Sequence, residues 1–191
     1  MTQPKEIATL PPIEELRRDV VPSPRTGEPR RPWTVFLAAA FGYLALAAVG
    51  VSYGIHWWDA VHPESYANSA NLLQWVKPEP GKWLSLTLEG AIALAAVVAG
   101  GAPAIAGFQA WNGWRWSRWA GLAAVVLTGG WTAIMNNAAF VALGLAVVSA
   151  ALIFVPPTPR YFSEWAQVRA ARPEQYRRPE WIFYGRLPRF R

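Results

Sequence analysis

The sequence predicts an all-α membrane protein with four transmembrane helices, short interfacial helices and cytoplasmic arms. Three observations support this. Apolar residues make up 53% of the 191-residue chain and charged residues only 16%, against about 25% charged in an ordinary soluble domain. The apolar residues gather in long uncharged runs. The charges gather outside those runs, with cations in excess, 18 Lys and Arg against 12 Asp and Glu.

Residues 1–32 are polar and rich in proline and read as a cytoplasmic arm. Their charged stretch is too long for a signal peptide, and the apolar run that follows exceeds the usual h-region of about 7–15 residues. The spans lie at about 33–55, 84–107, 119–135 and 138–155. Trp33 to Ile55 is uncharged and about 34 Å long as a helix, enough to cross a hydrocarbon core of about 30 Å. Leu84 to Gly107 carries one charge, Glu89, and one helix-bending residue, Pro103. Trp119 to Val155 is 37 residues without a charge, about 55 Å as one helix and too long for one crossing. Asn136-Asn137 supplies turn chemistry near its middle, so the run divides into two spans, and Pro156-Pro157 stops the last one. Residues 33–155 form the bundle, 56–83 its outer loop and 156–191 a basic, aromatic cytoplasmic tail.

Lys and Arg number six in residues 1–32, two in 56–83, two in 108–118 and eight in 156–191. An even number of crossings places 16 of the 18 cations on one side, and the positive-inside rule makes that side the cytoplasm. Tryptophan, 12 in all, favours the membrane boundary, where the ring is apolar and its N–H stays wet. Trp33, Trp111, Trp114, Trp116 and Trp119 read as the cytoplasmic belt. Trp57, Trp58, Trp83 and Trp131 read as the outer one. The expected location is therefore the cell inner membrane, multi-pass, with both termini cytoplasmic.

Cysteine is absent, which excludes disulfides, iron–sulfur clusters and thiol chemistry. With both histidines assigned to the outer loop, no span offers a haem ligand. No catalytic triad spacing, phosphate loop or zinc-protease signature occurs. The reading is no enzyme, no cofactor and no metal. His56, Asp59 and His62 carry ligand chemistry, but three-residue steps turn each side chain by about 60° on a helix, so they converge poorly. Glu89 is the one ionisable side chain inside a span, about 9 Å below the outer boundary. An acid at that depth is costly unless protonated, paired or wet. It is the candidate intramembrane functional acid, with Ser85, Thr87, Thr132 and Asn136 in reach and no basic partner in any span.

Pro63–Val76 is expected to form a short helix with Tyr66, Ala70 and Leu73 on one face, covering the bundle or offering a docking surface. Small residues recur at four-residue steps: Gly50 and Gly54, Gly100 and Ala104, and Ala138, Ala142, Ala146 and Ala150. Such stripes let helices approach closely in lipid. In the tail, Tyr161, Trp165 and Val168 share a face of an amphipathic helix, and Arg and aromatic residues are dense beyond it. Tyr161, Trp165, Arg169, Arg177, Arg178, Trp181, Tyr184 and Arg186 are candidates for docking on a partner or on anionic lipid. The positive-inside bias accounts for the basic charge without nucleic acid. The Ala-, Arg-, Pro-, Gly- and Trp-rich composition resembles that of small multi-span proteins of bacteria with GC-rich genomes. The expected role is a non-catalytic accessory or assembly subunit of a larger inner-membrane complex, a respiratory assembly being one candidate, with other integral membrane subunits as partners. The alternative is a small oligomeric transporter or channel using Glu89.

Overall fold

The computed structural model describes residues 28–170. Among them are six α-helices and no strand: α1 (Trp33–Ala60), α2 (Asn71–Val76), α3 (Trp83–Trp111), α4 (Ser117–Ile134), α5 (Ala139–Phe154) and α6 (Thr158–Ala170), with a 3₁₀ turn at Tyr66–Asn68. The long helices form a closed ring in which α1 packs along α3 and α5, and α4 joins α3 to α5. The five-residue turn after α3, the short turn after α4, and contacts of the C-terminal end of α5 with the start of α1 make every neighbour antiparallel.

α1 and α3, with 28 and 29 residues, are each long and apolar enough to cross a membrane. α4 has 18 residues with Arg118 in its first turn and α5 has 16, and neither meets both requirements alone. α5 together with α6, bent by 61° at the break between them, gives a third candidate if the pair is one span. Two to three helices are thus long and apolar enough to span a membrane.

The bundle is small inside and large outside. α1 buries Val35, Ala38, Ala39, Gly42, Ala45, Val49, Ser52 and His56 at steps of three and four residues, while Phe36, Tyr43, Leu44 and Val51 face outward. Small residues inside bring backbones close, and large apolar residues outside suit a lipid solvent. The closest approach is between α1 and α3. A methyl group built on Gly42 would lie 2.5 Å from the Pro103 carbonyl oxygen, and one on Gly107 would lie 3.0 Å from Ala39 Cα. In α5, Ala142, Ala146 and Ala150 are buried. Gly50 and Gly54, by contrast, look outward with open space beside them.

α3 runs unbroken through Pro103. Proline has no N–H for the carbonyl four residues back, Ala99. The Thr128 hydroxyl, bonded to the Ala124 carbonyl at 2.7 Å, stands 3.5 Å from that oxygen and partly covers the deficit. α3 ends in a Schellman motif: Gly113 N–H donates to the Ala110 carbonyl and Trp114 N–H to that of Gln109, with Gly113 at φ +70°.

Two elements differ from the sequence reading. α1 continues past residue 55 to Ala60, so His56 belongs to the helix and not to the loop. Nothing in His56–Ala60 breaks a helix, and the first such residue is Pro63. Pro63–Val76 is not one helix. Ser65 Oγ bonds the Asp59 carbonyl at 2.7 Å and Ser69 Oγ that of Tyr66 at 2.7 Å, hydroxyl contacts that compete with helical pairing. Its apolar face nonetheless lies on the bundle, with Tyr66, Ala70 and Leu73 buried.

Candidate functional site

The polar residues of the bundle concentrate at the end nearest the 56–83 loop. Ser52 and His56 are one turn apart on α1, and Ser85 and Glu89 one turn apart on α3, so antiparallel packing brings the two pairs together. His56 Nε2 lies 2.9 Å from Glu89 Oε2. The imidazole is fully buried and the Glu89 side chain keeps 19% of its surface. The sequence reading that Glu89 lacks a basic partner is therefore overturned: the partner is His56, carried into the bundle by the last turn and a half of α1. The same fact corrects the placement of His56 in the loop, whereas His62 does lie there.

Tyr66 closes this site from the loop. Its hydroxyl stands beside Glu89 and Ser85 but forms no well-aligned hydrogen bond. Burial first, and the Glu89 charge next, push the phenol above its ordinary pKa. His56 Nδ1 and Glu89 Oε1 are likewise buried without a partner. A cavity of about 270 Å³ lies over the group, with Trp57, Pro63, Tyr66, Ser85, Leu86 and Glu89 in its wall.

A structural network adjoins it. Trp131 is 1% exposed and donates its indole N–H to Ser52 Oγ at 2.9 Å; Ser52 Oγ donates to the Val49 carbonyl at 2.9 Å. Asn136 Nδ2 donates to the Ser52 carbonyl at 3.0 Å. Trp131 is thus a core residue and not an outer-belt anchor, because α4 turns its Gly121, Ala124, Thr128 and Trp131 face inward. Trp57, Trp58 and Trp83 are exposed. The other polar residues considered for Glu89 bond elsewhere: Ser85 to the Lys82 carbonyl, Thr87 to that of Trp83 and Thr132 to that of Gly129.

The H-x-x-D-x-x-H residues diverge. His56 faces Glu89, His62 Nδ1 meets the Trp58 carbonyl at 3.0 Å, and the Asp59 backbone oxygen accepts from Ser65. Among the described residues no group of three His, Cys, Asp or Glu side chains is placed to hold a metal ion.

At the other end of the bundle α6 folds back onto the turn between α3 and α4. Thr158 Oγ1 donates to the Leu152 carbonyl at 3.1 Å and so accepts from Thr34 Oγ1 at 2.7 Å. The Tyr161 hydroxyl donates to the Trp111 carbonyl at 2.7 Å. Burial pushes the Tyr161 phenol above its ordinary pKa. Arg169 donates to the carbonyls of Gly113, at 3.0 Å, and Asn112, and its guanidinium lies 4.0 Å from the centre of the Trp114 ring. Trp165 packs over Gly113, where a β-carbon would meet its ring. Tyr161, Trp165 and Arg169 are therefore engaged within the chain, and the aromatic face of α6 rests on protein. Arg177, Arg178, Trp181, Tyr184 and Arg186 lie outside the described residues.

Comparison with family models, with curated proteins and with solved structures returns no match for this chain.

Proposed function

We propose that the chain is a four-span inner-membrane protein with both termini in the cytoplasm, acting as a non-catalytic accessory or assembly subunit of a larger membrane complex, a respiratory assembly being one candidate. The four-span reading is supported by the ring of antiparallel helices: α4 lies lengthwise against α3 and α5 against α1, with no water-soluble face of their own. Their lengths, about 27 and 24 Å, are near the hydrocarbon thickness and can be met by local thinning. The charge asymmetry orients the bundle.

The observation that carries the subunit role is where the polar groups go. Thr34, Ser52, Thr128, Trp131, Ser149 and Tyr161 bond to other parts of the same chain. What faces outward is continuous apolar surface on all four long helices, including Leu94, Val97, Val126, Phe140 and Val141. Such faces suit contact with other integral membrane subunits as well as with lipid. The arms add Arg and aromatic anchors and cations for anionic headgroups.

The His56–Glu89 pair favours the second reading, a small oligomeric transporter or channel using Glu89. Purification of the tagged chain from its native membrane in mild detergent separates the two. Stoichiometric large membrane subunits identified by mass spectrometry are expected, with loss of that association, but not of membrane insertion, on deleting residues 173–191. A homo-oligomer alone, with solute flux abolished by Glu89→Gln, would overturn the subunit role.

A further inference from the structure

We infer that the cavity over Glu89 is a binding site for a small organic cation, a primary or secondary ammonium carried on a short apolar body. The chemistry of the wall leads there. His56 Nδ1 is buried with no acceptor beside it, while Nε2 faces Glu89 Oε2 at 2.9 Å. A proton on Nδ1 would bury an unsatisfied donor, whereas a bare lone pair there costs less. The Nε2–H tautomer is therefore favoured, with the imidazole donating to Glu89 Oε2. That leaves the carboxylate's remaining acceptor capacity at the base of the cavity. Among the described residues Glu89 is hydrogen-bonded to His56, and Lys82 is paired with Glu79.

Two further groups at the site are unmet. Glu89 Oε1 has no donor, and the Tyr66 hydroxyl, on a residue 8% exposed, has no hydrogen-bond partner. Glu89, Tyr66 and Ser85 all line the cavity. Each carries an oxygen that can accept, so the complementary head group is a multiple donor with positive charge. A hard metal ion needs about six or more oxygen ligands, and the rest of this wall is mainly apolar: Trp57, Ala60, Pro63, Pro80, Gly81 and Leu86. An ammonium fits better. It forms charge-assisted bonds to the carboxylate, the Trp57 and Tyr66 rings supply aromatic surface that attracts cations, and the apolar body takes the prolines and Leu86. The volume, about 270 Å³, admits a molecule of benzylamine size. The site is independent of whether the chain is a subunit or a transporter.

The test uses the full chain in nanodiscs of zwitterionic phosphatidylcholine, open from both sides, titrated by calorimetry with benzylammonium and with benzyl alcohol, its neutral counterpart. Benzylammonium should bind about tenfold or more tighter. Glu89→Gln should remove that preference, and Tyr66→Phe, which keeps the ring, should reduce it several-fold, with circular dichroism melts confirming that each variant folds. Equal binding of the two probes, no binding of either, or a preference unchanged in both variants would overturn the site. If Glu89→Gln does not fold, the wild-type comparison and Tyr66→Phe decide alone.

Discussion

Single positions show what holds the bundle together, and glycine is the clearest case. Gly42 sits where a β-carbon would meet the Pro103 carbonyl oxygen at 2.5 Å, a backbone atom that cannot swing aside. Gly54, on the same helix, has open space next to it. Gly42→Ala should cost about 1–3 kcal/mol through overpacking, whereas Gly54→Ala should be neutral or gain up to about 1 kcal/mol in helix propensity. Thermal melts of the two variants in one detergent check the contrast, and equal losses would mean that α1 and α3 do not approach at Gly42. The sequence marks both as small residues in apolar runs but does not say which face is inward. Glu89 stood out because charge is rare in such runs. Its partner was not legible, because a helix boundary five residues short left His56 outside the bundle. The missing signal was the four-residue step from Ser52 to His56, matched by Ser85 to Glu89.

At the scale of elements, the all-helical class was readable from the long uncharged runs, and the break between α4 and α5 falls on Asn136-Asn137. Trp131 was misplaced because tryptophan near a span end usually marks the boundary. Its neighbours on the α4 face, Gly121, Ala124 and Thr128, are small in the way an inward stripe is. The destination of the α6 aromatic face was not legible either, since amphipathicity alone does not distinguish protein from lipid. The docking of α6 is titratable. The Tyr161 phenol donates to the Trp111 carbonyl, and burial raises its pKa above the ordinary tyrosine value. A raised pKa means the folded state holds the proton more tightly. Its stabilising contribution is complete below about pH 10 and falls away as pH rises through the folded value. Tyr161→Phe should lose about 1 kcal/mol near neutral pH and should melt with less alkaline dependence between pH 9 and 11.5 than the wild type. Identical pH profiles would mean that the hydroxyl plays no part in holding α6.

The whole molecule is organised by its solvent. Small and polar side chains predominate at the centre, with Ile92, Trp131 and Ile153 among them, and large apolar ones cover the outside, unlike a water-soluble bundle in which the outward surface is charged. The polar cluster at the loop end and the docked α6 at the other give the bundle two chemically distinct ends. Two to three helices are long and apolar enough to span a membrane, and the closed ring is what supports the proposed four. The chain has no cysteine, so single cysteines report topology without background. The most direct measurement is labelling of Asn137→Cys by a membrane-impermeant maleimide in intact cells, with Glu64→Cys, Arg115→Cys, Lys5→Cys and Gln175→Cys beside it. Four crossings with both ends inside require Glu64→Cys and Asn137→Cys to react before lysis and the other three only after it. Protection of Asn137→Cys until lysis, or external reaction of Lys5→Cys or Gln175→Cys, would contradict the four-span bundle.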